Sequence, residues 1–210
     1  MRGKIVAIVE GKKCEKETIP LLLRRILHER LNVFDDIVEK PVYLSRTKIK
    51  DESELQRIIE LVQRTRTGAK AILLLCDSDD DPPCLLGPEL LLKARSMTHL
   101  SVAVVLAKKE LECWFLGAKE SLRGQRGIRQ DANNHPNPED IRGGKEHLSE
   151  NMESGRRYLE TDDQAALAAK MDIEVARRNC PSFDKLVREV ERLLTQMNPC
   201  QPPSNQPPIF

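Results

Sequence analysis

Aromatic residues are scarce in this chain, where Phe, Trp and Tyr together make up 3% of 210 residues. Proteins that bind single-stranded nucleic acid without sequence preference stack bases on aromatic rings, so a platform of that kind is poorly supplied here. The single tryptophan, Trp114, follows an apolar segment and a pair of glutamates. We expect its ring to pack in the core rather than meet a base.

The chain also lacks an excess of charge of either sign, with 34 Lys and Arg residues against 33 Asp and Glu residues and a formal net charge of +1. This balance argues against a globally basic nucleic-acid binder. A local basic face is still open, because arginines cluster between residues 123 and 142. Charged residues at 32% and apolar residues at 40% are typical of a folded globular protein.

Paired cysteines and long apolar runs are missing as well. The six cysteines form no CxxC pair and show no regular spacing, which disfavours a disulfide framework or a zinc site. No apolar run approaches the length of a membrane span, and the first residues lack the apolar region of a signal peptide. We therefore predict a cytoplasmic protein that does not engage a membrane.

The first half of the sequence alternates between strand and helix signals. The apolar strand segments are 4–9, 38–44, 71–76 and 101–107, and the segments of helical periodicity are 19–31, 51–62 and 89–97. Asp51, with Glu54 three residues later, predicts a helix start. This alternation predicts an α/β fold with a mostly parallel central sheet flanked by helices.

The second half has a different organisation. Residues 123–142 are rich in Gly, Arg, Asn and Pro and predict a long loop, of a length that is often functional. Apolar periodicity predicts C-terminal helices over 162–172 and 182–197, with Ser182 as the N-cap of the second.

These patterns predict one domain with an extension. Residues 1–122 form the α/β core, and residues 123–197 form the Arg/Gly-rich loop and a helical extension of the same domain. The proline-rich residues 198–210 predict a flexible tail.

An apolar segment that runs directly into an acidic loop is the most informative feature of the sequence. Residues 71–76 are apolar on both faces, which predicts a strand buried inside a parallel sheet. Four aspartates follow at once: Asp77, Asp79, Asp80 and Asp81. Acidic runs are usually solvated loops, but ligand sites of open α/β sheets lie beyond the carboxyl ends of the strands. Carboxylates clustered there repel one another unless a cation sits among them, so this loop is a candidate divalent metal site.

Two further predicted strands also end in carboxylates. Glu10 follows the first strand, and Glu110 and Glu112 follow the fourth. Carboxyl ends of parallel strands meet at one edge of a sheet, where oxygen ligands suit magnesium or manganese. The sequence thus predicts a composite site in which Asp77 and Asp79 face the metal, Asp80 points away, and Asp81 is available as an outer ligand.

The order of these motifs resembles the Toprim superfamily, which includes topoisomerase and primase domains and the OLD-family nucleases. The resemblance lies in Glu10-Gly11 after the first strand and in the Asp77-Ser78-Asp79 pair after a later one. More closely, the chain resembles a bacterial family of stand-alone Toprim-like proteins, domain of unknown function 4276. The resembling stretches are 8–11 with Glu15, 19–25, 73–81, 103–107 with 110–115, 143–145, 163–164 and 180–183.

This resemblance implies a Toprim-like Rossmannoid fold and metal-dependent phosphodiester chemistry. The resemblance implies two Mg2+ or Mn2+ ions. Their implied ligands are Glu10, Glu15, Asp77, Asp79, Asp81, Glu110 and Glu112. Glu110 and Glu112 are alternatives for the second metal position. Glu10 is also implied as a catalytic base. Lys145 is implied to stabilise charge on the scissile phosphate, although a surface lysine is an equally good interpretation. The predicted nucleic-acid contacts are Lys12, Lys13, Arg123, Arg126 and Arg129.

The function implied by the resemblance is a magnesium-dependent nuclease acting on DNA or RNA. Relatives of this kind are often encoded beside an AAA/ABC-type ATPase and serve in anti-phage defence, so a partner ATPase is implied too. Two alternatives stay open: a non-catalytic Toprim scaffold that binds a partner, and a phosphoryl-transfer enzyme with a small-molecule substrate. The sequence does not predict an oligomeric state.

Overall fold

A parallel β-sheet forms the centre of the computed structural model, which describes residues 3–10 and 15–197. Its four strands are β1 (Lys4–Val9), β2 (Val42–Tyr43), β3 (Ala69–Asp77) and β4 (Ser101–Ala107). They lie in the order β2-β1-β3-β4, and each neighbouring pair is parallel. The predicted α/β class, with a parallel sheet flanked by helices and with C-terminal helices, is confirmed.

Nine α-helices lie within the part of the chain that the structure describes. They are α1 (Glu15–Arg25), α2 (Arg46–Lys50), α3 (Glu52–Thr65), α4 (Pro83–Ser96), α5 (Glu112–Gly117), α6 (Gly144–Glu150), α7 (Glu160–Ala168), α8 (Ile173–Asn179) and α9 (Pro181–Met197). A π-helical turn (Ile26–Arg30) continues α1, and two 3-10 turns lie at Lys119–Leu122 and Pro138–Asp140. None of the helices described combines the length and apolarity needed to cross a lipid bilayer.

The strands are apolar on both faces because helices cover both sides of the sheet. On one face, Ile5, Ala7 and Val9 of β1 pack in a cluster with residues of α1, α5 and α9. On the other face, Val6 and Ile8 pack in a cluster with residues of α3 and α4. The first cluster also contains Ile128, Leu148 and Leu167, so residues beyond 122 share the core of the sheet.

Several element boundaries differ from the sequence prediction. The second strand shrinks from 38–44 to Val42–Tyr43, with Val38 joined to Ile5 by an isolated bridge. Helix α4 begins at Pro83 rather than 89, since proline suits the first turn of a helix. The start of α3 is confirmed, because Asp51 Oδ1 accepts a hydrogen bond from Glu54 N at 2.9 Å.

The C-terminal helices show two corrections. The segment predicted as one helix over 162–172 ends at Ala168, and Asp172 instead caps α8 by accepting from Val175 N at 2.9 Å. The prediction of Ser182 as an N-cap is wrong, because α9 begins at Pro181. The Ser182 hydroxyl turns inward, where it accepts from Trp114 Nε1 at 2.8 Å and donates to Glu139 at 2.5 Å. Trp114 is fully buried, as predicted. Residues 198–210, predicted as a tail, lie outside the described residues.

Candidate metal centre

Carboxylates follow the ends of three adjacent strands at the carboxyl edge of the sheet. Glu10 directly follows β1, Asp77 is the last residue of β3, and Glu112 begins α5, shortly after β4. Strand β3 lies between β1 and β4 with Val9 paired to Leu75 and Asp77 paired to Ala107. The parallel register therefore brings these strand ends to one place, where open α/β sheets bind ligands.

Asp77 lies at the electrostatic centre of this group. Burial raises the pKa of its carboxyl well above the usual range. Four neighbouring carboxylates raise the pKa further: Glu112, Glu15, Glu10 and Asp79. Its Oδ1 accepts a hydrogen bond from Leu111 N at 2.9 Å, which ties β3 to the segment before α5. Both burial and the neighbouring carboxylates therefore oppose the ionisation of this carboxyl.

Glu10 contributes a buried oxygen to this edge. Its Oε2 has no hydrogen-bond partner within residues 3–10 and 15–197. Burial raises the pKa of the carboxyl, the Arg46 guanidinium lowers it, and Asp79 raises it. Because buried polar atoms without partners are rare and costly, this oxygen is suited to a ligand that supplies positive charge.

Glu112 is buried and is held by side chains from the C-terminal half of the chain. Its Oε1 accepts hydrogen bonds from Tyr158 Oη at 2.9 Å and from Gln164 Nε2 at 3.3 Å. Gln164 Oε1 in turn accepts from Thr18 Oγ1 of α1 at 2.9 Å. Burial raises the pKa of Glu112, whereas Lys145 and the Tyr158 hydroxyl lower it. Sequence reasoning gave no role to Tyr158, and it singled out Gln164 only as part of the resembling stretch 163–164.

Glu110 has a different place from Glu112. Its two carboxylate oxygens accept from Gly143 N at 3.1 Å and Gly144 N at 3.0 Å, which closes the start of α6. Gly143 has a φ of 71°, and a Cβ at Gly144 would lie 2.9 Å from that of Glu112, so both positions favour glycine. Of the two glutamates, Glu112 is the one whose charge raises the pKa of Asp77.

Lys145 follows these glycines and turns its ammonium toward the carboxylates. Its Nζ lies 2.5 Å from Glu160 Oε2. Burial lowers the pKa of Lys145, but the Glu160 hydrogen bond and the charges of Glu112 and Asp77 outweigh that effect and raise it. Lys145 is therefore a cation within electrostatic reach of two of the predicted ligands.

The acidic loop itself is organised by Arg46 of α2, which sequence reasoning missed. The Arg46 Nη2 atom lies 2.8 Å from Ser78 O and 2.5 Å from Asp81 Oδ2, and Nη1 donates to the Asp77 carbonyl. Its Nε lies 3.6 Å from Asp79 Oδ2. Nothing in the sequence near Arg46 indicates this role, because it depends on the approach of α2 to the end of β3.

The other loop carboxylates also have internal cations. Lys50 Nζ lies 2.5 Å from Asp81 Oδ2, and the pKa of Asp81 is lowered first by that hydrogen bond. Asp80 pairs with Arg142 and, at 3.6 Å, with Lys109 Nζ. Asp79 adopts a left-handed backbone conformation with a φ of 49°.

Most of the predicted ligands fall into two groups. Asp79 and Asp81 lie near Arg46, and Asp77 forms a second group with Glu10 and Glu112, whose charges act on it. Glu110 belongs to neither group, because it accepts hydrogen bonds at the start of α6. Glu15, the first residue of α1, is buried and belongs to the second group through its effect on the pKa of Asp77. Across residues 3–10 and 15–197, no three His, Cys, Asp or Glu side chains are arranged to hold a metal ion. The donor chemistry of the buried group nevertheless fits an oxygen-preferring cation, since Glu10 Oε2 has no hydrogen-bond partner within those same residues.

The three arginines predicted to contact nucleic acid bind other residues of the chain instead. Arg123 Nε donates to Ala132 O at 2.6 Å, and Arg129 Nε lies 3.0 Å from Asp131 Oδ1. Arg126 Nε lies 2.9 Å from Asp163 Oδ1, a buried carboxylate. These contacts fold the 123–142 loop back on itself and onto α7. The remaining two, Lys12 and Lys13, lie outside the described residues.

The fold and this edge define a parallel α/β protein with an acidic cluster at the carboxyl ends of its strands. The sequence model of the family described as domain of unknown function (DUF4276) matches residues 9–191, which is most of the chain. The protein belongs to that family. No curated protein and no solved structure matches it.

Proposed function

We propose that the protein is a cytoplasmic, metal-dependent phosphodiester hydrolase of the Toprim, OLD-like type that acts on DNA or RNA. The observation that carries the proposal is the buried Glu10 Oε2, which has no hydrogen-bond partner among the residues that the structure describes. It belongs to the same edge as Asp77, whose own ionisation is opposed by burial and by neighbouring carboxylates. Divalent ions offset that repulsion and accept carboxylate oxygens as ligands.

The chain's own residues supply distinct parts of such a site. Glu10, Asp77 and Glu112 would hold Mg2+ or Mn2+, with Glu15 beside them and Asp79 and Asp81 available once released from Arg46. Two ions of this kind lower the pKa of bound water and neutralise charge on a phosphodiester. Lys145, already close to Glu112 and Asp77, is placed to hold a negatively charged phosphate oxygen. Glu10 is also the candidate base, the role that the resemblance to Toprim nucleases implies for the glutamate after the first strand.

The partners belong to the proposal as well. The nucleic acid would contact cations around the acidic edge through its backbone phosphates, independent of base sequence. An AAA/ABC-type ATPase encoded beside this chain is the proposed protein partner, and anti-phage defence the proposed setting.

A second candidate function is a non-catalytic Toprim-scaffold subunit that binds a partner. The observation in its favour is that Arg46, Lys50, Lys109 and Arg142 already pair with Asp79, Asp80 and Asp81. An acidic loop neutralised from within has less need of a divalent ion.

A nuclease assay distinguishes the two. Single- and double-stranded DNA and RNA are incubated with the protein and Mg2+ or Mn2+, with and without the neighbouring ATPase. We expect cleavage by the wild type and a loss of at least about 100-fold in Glu10→Gln and in Asp77→Asn/Asp79→Asn. Glu60→Gln is the matched control, because Glu60 is an exposed residue in the half of α3 that leads into the start of β3, the end opposite to Asp77.

Two results contradict the hydrolase. Intact substrates under every condition would favour the scaffold, and equal cleavage by wild type and site variants would place the activity in a contaminant or another site.

A further inference from the structure

A cavity of about 300 Å³ lies beside the acidic edge. It is lined by Asp79, Asp80, Lys109, Glu110 and Arg142. Two of these residues are cations, and both pair with the same carboxylate, Asp80. The cavity therefore holds an arginine and a lysine whose shared anion, the Asp80 carboxylate, belongs to the chain itself.

The other carboxylates of the cavity are engaged elsewhere. Glu110 accepts from the amides that begin α6 at 3.1 and 3.0 Å. Asp79 lies 3.6 Å from Arg46 Nε. Asp80 alone among the three is paired with the two cations, and 68% of its side chain is exposed.

The backbone fixes the lysine in place. Lys109 and Asp79 both have left-handed conformations, with φ of 65° and 49°, and Asp79 N donates to Lys109 O at 3.1 Å. Lys109 N donates in turn to the buried Ser78 Oγ at 3.0 Å. Left-handed residues other than glycine are uncommon, and such strain is often found at functional sites. Here the two hydrogen bonds join the ends of β3 and β4 and hold Lys109 next to Asp80. Only 24% of the lysine side chain is exposed.

We propose that Arg142 and Lys109 form a binding site for a phosphate group of the nucleic-acid backbone, and that Asp80 occupies this site until the phosphate displaces it. The proposal rests on the proposed function for the identity of the ligand. A guanidinium presents paired donors that match two phosphate oxygens, and a lysine adds a point charge. Displacement costs little, because an exposed carboxylate returns to water and surface ion pairs are weak.

The first test titrates inorganic phosphate into the full chain in EDTA and follows the Arg142 Nε–Hε resonance. Asp80→Asn removes the internal competitor, and we expect about fivefold tighter phosphate binding, which corresponds to about 1 kcal/mol. Arg142→Ala removes the paired donors, and we expect about fivefold weaker binding, followed by calorimetry because the reporter is lost.

The chain offers a matched control at the opposite edge of the sheet. Asp36 also pairs with one arginine and one lysine, 3.8 Å from Arg24 Nη2 and 3.3 Å from Lys4 Nζ. Asp36→Asn and Arg24→Ala make the same changes in net charge, and we expect them to leave phosphate binding unchanged. The proposal would be overturned if Asp36→Asn changed phosphate affinity as much as Asp80→Asn. It would also be overturned if neither Asp80→Asn nor Arg142→Ala changed phosphate affinity.

A nucleic-acid measurement separates this inference from the hydrolase function. If the wild type cleaves, Arg142→Ala should raise KM and reduce the slope of log affinity against log salt by about 0.7 to 0.9, the value for one phosphate contact. Unchanged KM and slope with intact cleavage would refute the phosphate site alone. Phosphate binding that follows the expected pattern in a protein that cleaves nothing would refute the hydrolase and leave the site standing.

Discussion

Tyr158 and Glu112 are joined by a buried hydrogen bond of 2.9 Å in which the phenol donates to Glu112 Oε1. The pKa of Tyr158 is raised by burial and by the charge of Glu112, so the hydroxyl keeps its proton. Tyr158 precedes α7, whereas Glu112 begins α5 at the edge of the sheet. The segment that follows the long loop thus orients a carboxylate of the candidate centre, as hydrogen-bonded neighbours orient metal ligands.

Tyr158→Phe should weaken metal binding more than it weakens the fold. The variant leaves Glu112 with Gln164 as its remaining donor on Oε1, at 3.3 Å. We expect Mn2+ affinity to fall by about tenfold, the lower end for loss of a residue that orients a ligand. Loss of one hydrogen bond should cost about 1 kcal/mol of unfolding free energy. Calorimetric Mn2+ titration and thermal unfolding measure the two effects.

Thr65→Val is the control for this prediction, because it removes a hydroxyl that donates to Leu61 O at 2.7 Å near the end of α3 that leads into the start of β3. Equal Mn2+ affinity in Tyr158→Phe and Thr65→Val would show that Tyr158 serves the fold alone.

Asp77→Asn should stabilise the metal-free protein at neutral pH. Burial and neighbouring carboxylates oppose the ionisation of Asp77, and asparagine removes the charge while keeping an oxygen for Leu111 N. We expect Tm in EDTA at pH 7 to rise by about 2 to 4 °C, the equivalent of about 1 kcal/mol in a chain of this size. A lower Tm would mean that the ionised carboxylate is already stabilised without metal.

The raised pKa of Asp77 also predicts how the stability of the metal-free protein depends on pH. The folded-state pKa of Asp77 lies above the unfolded value, so the native state binds the proton more tightly. The contribution of Asp77 to the free energy of unfolding is therefore largest below the unfolded pKa of about 3.9, and it falls as the pH rises from there through the folded-state pKa. Asp77→Asn should flatten this fall, and Tm measured between pH 4 and pH 8 shows whether the two curves converge at the acidic end.

Metal binding should release protons. Burial raises the pKa of Asp77, Glu10 and Glu112, and carboxyls must lose their protons to bind a divalent ion. We expect Mn2+ affinity to increase with pH from 5 to 8. Calorimetry in two buffers of different ionisation enthalpy measures the protons released. Binding without proton release would place the ion on the exposed aspartates instead.

The sequence was sufficient to predict the elements whose signal is local. Apolar segments predicted the sheet, and carboxylates after three of them predicted a composite site at its edge, since the carboxyl ends of parallel strands lie at one edge. The contacts that separate Glu110 from Glu112, or that bind Asp81 to Arg46, depend on how distant segments approach one another. Alternation along the chain cannot indicate that α6 needs the Glu110 carboxylate at its start.

Arg46 should contribute more to thermal stability than Lys50, although both side chains lie 2.5 Å from Asp81 Oδ2. The Arg46 side chain is 14% exposed and also donates to two backbone carbonyls, whereas the Lys50 side chain is 43% exposed. We expect Arg46→Met to lower Tm by about 4 to 8 °C, because it leaves buried acceptors without a donor. Lys50→Met should lower Tm by less than about 2 °C, since exposed ion pairs contribute little. Similar shifts in the two variants would remove the structural role assigned to Arg46.

Arg126 should stabilise the loop over 123–142 through Asp163 rather than serve mainly as a nucleic-acid contact. The Asp163 carboxylate is 1% exposed and accepts from Arg126 Nε at 2.9 Å, Arg156 Nη2 at 2.8 Å and Leu159 N at 2.9 Å. We expect Asp163→Asn to cost about 2 kcal/mol of unfolding free energy, and to speed proteolysis within the loop, because two arginines lose their charged partner. Asp162→Asn is the control, as its carboxylate is exposed and lies next in the chain. If Asp163→Asn and Asp162→Asn are digested at the same rate, the loop is held by its other contacts, and Arg126 is free to bind phosphate.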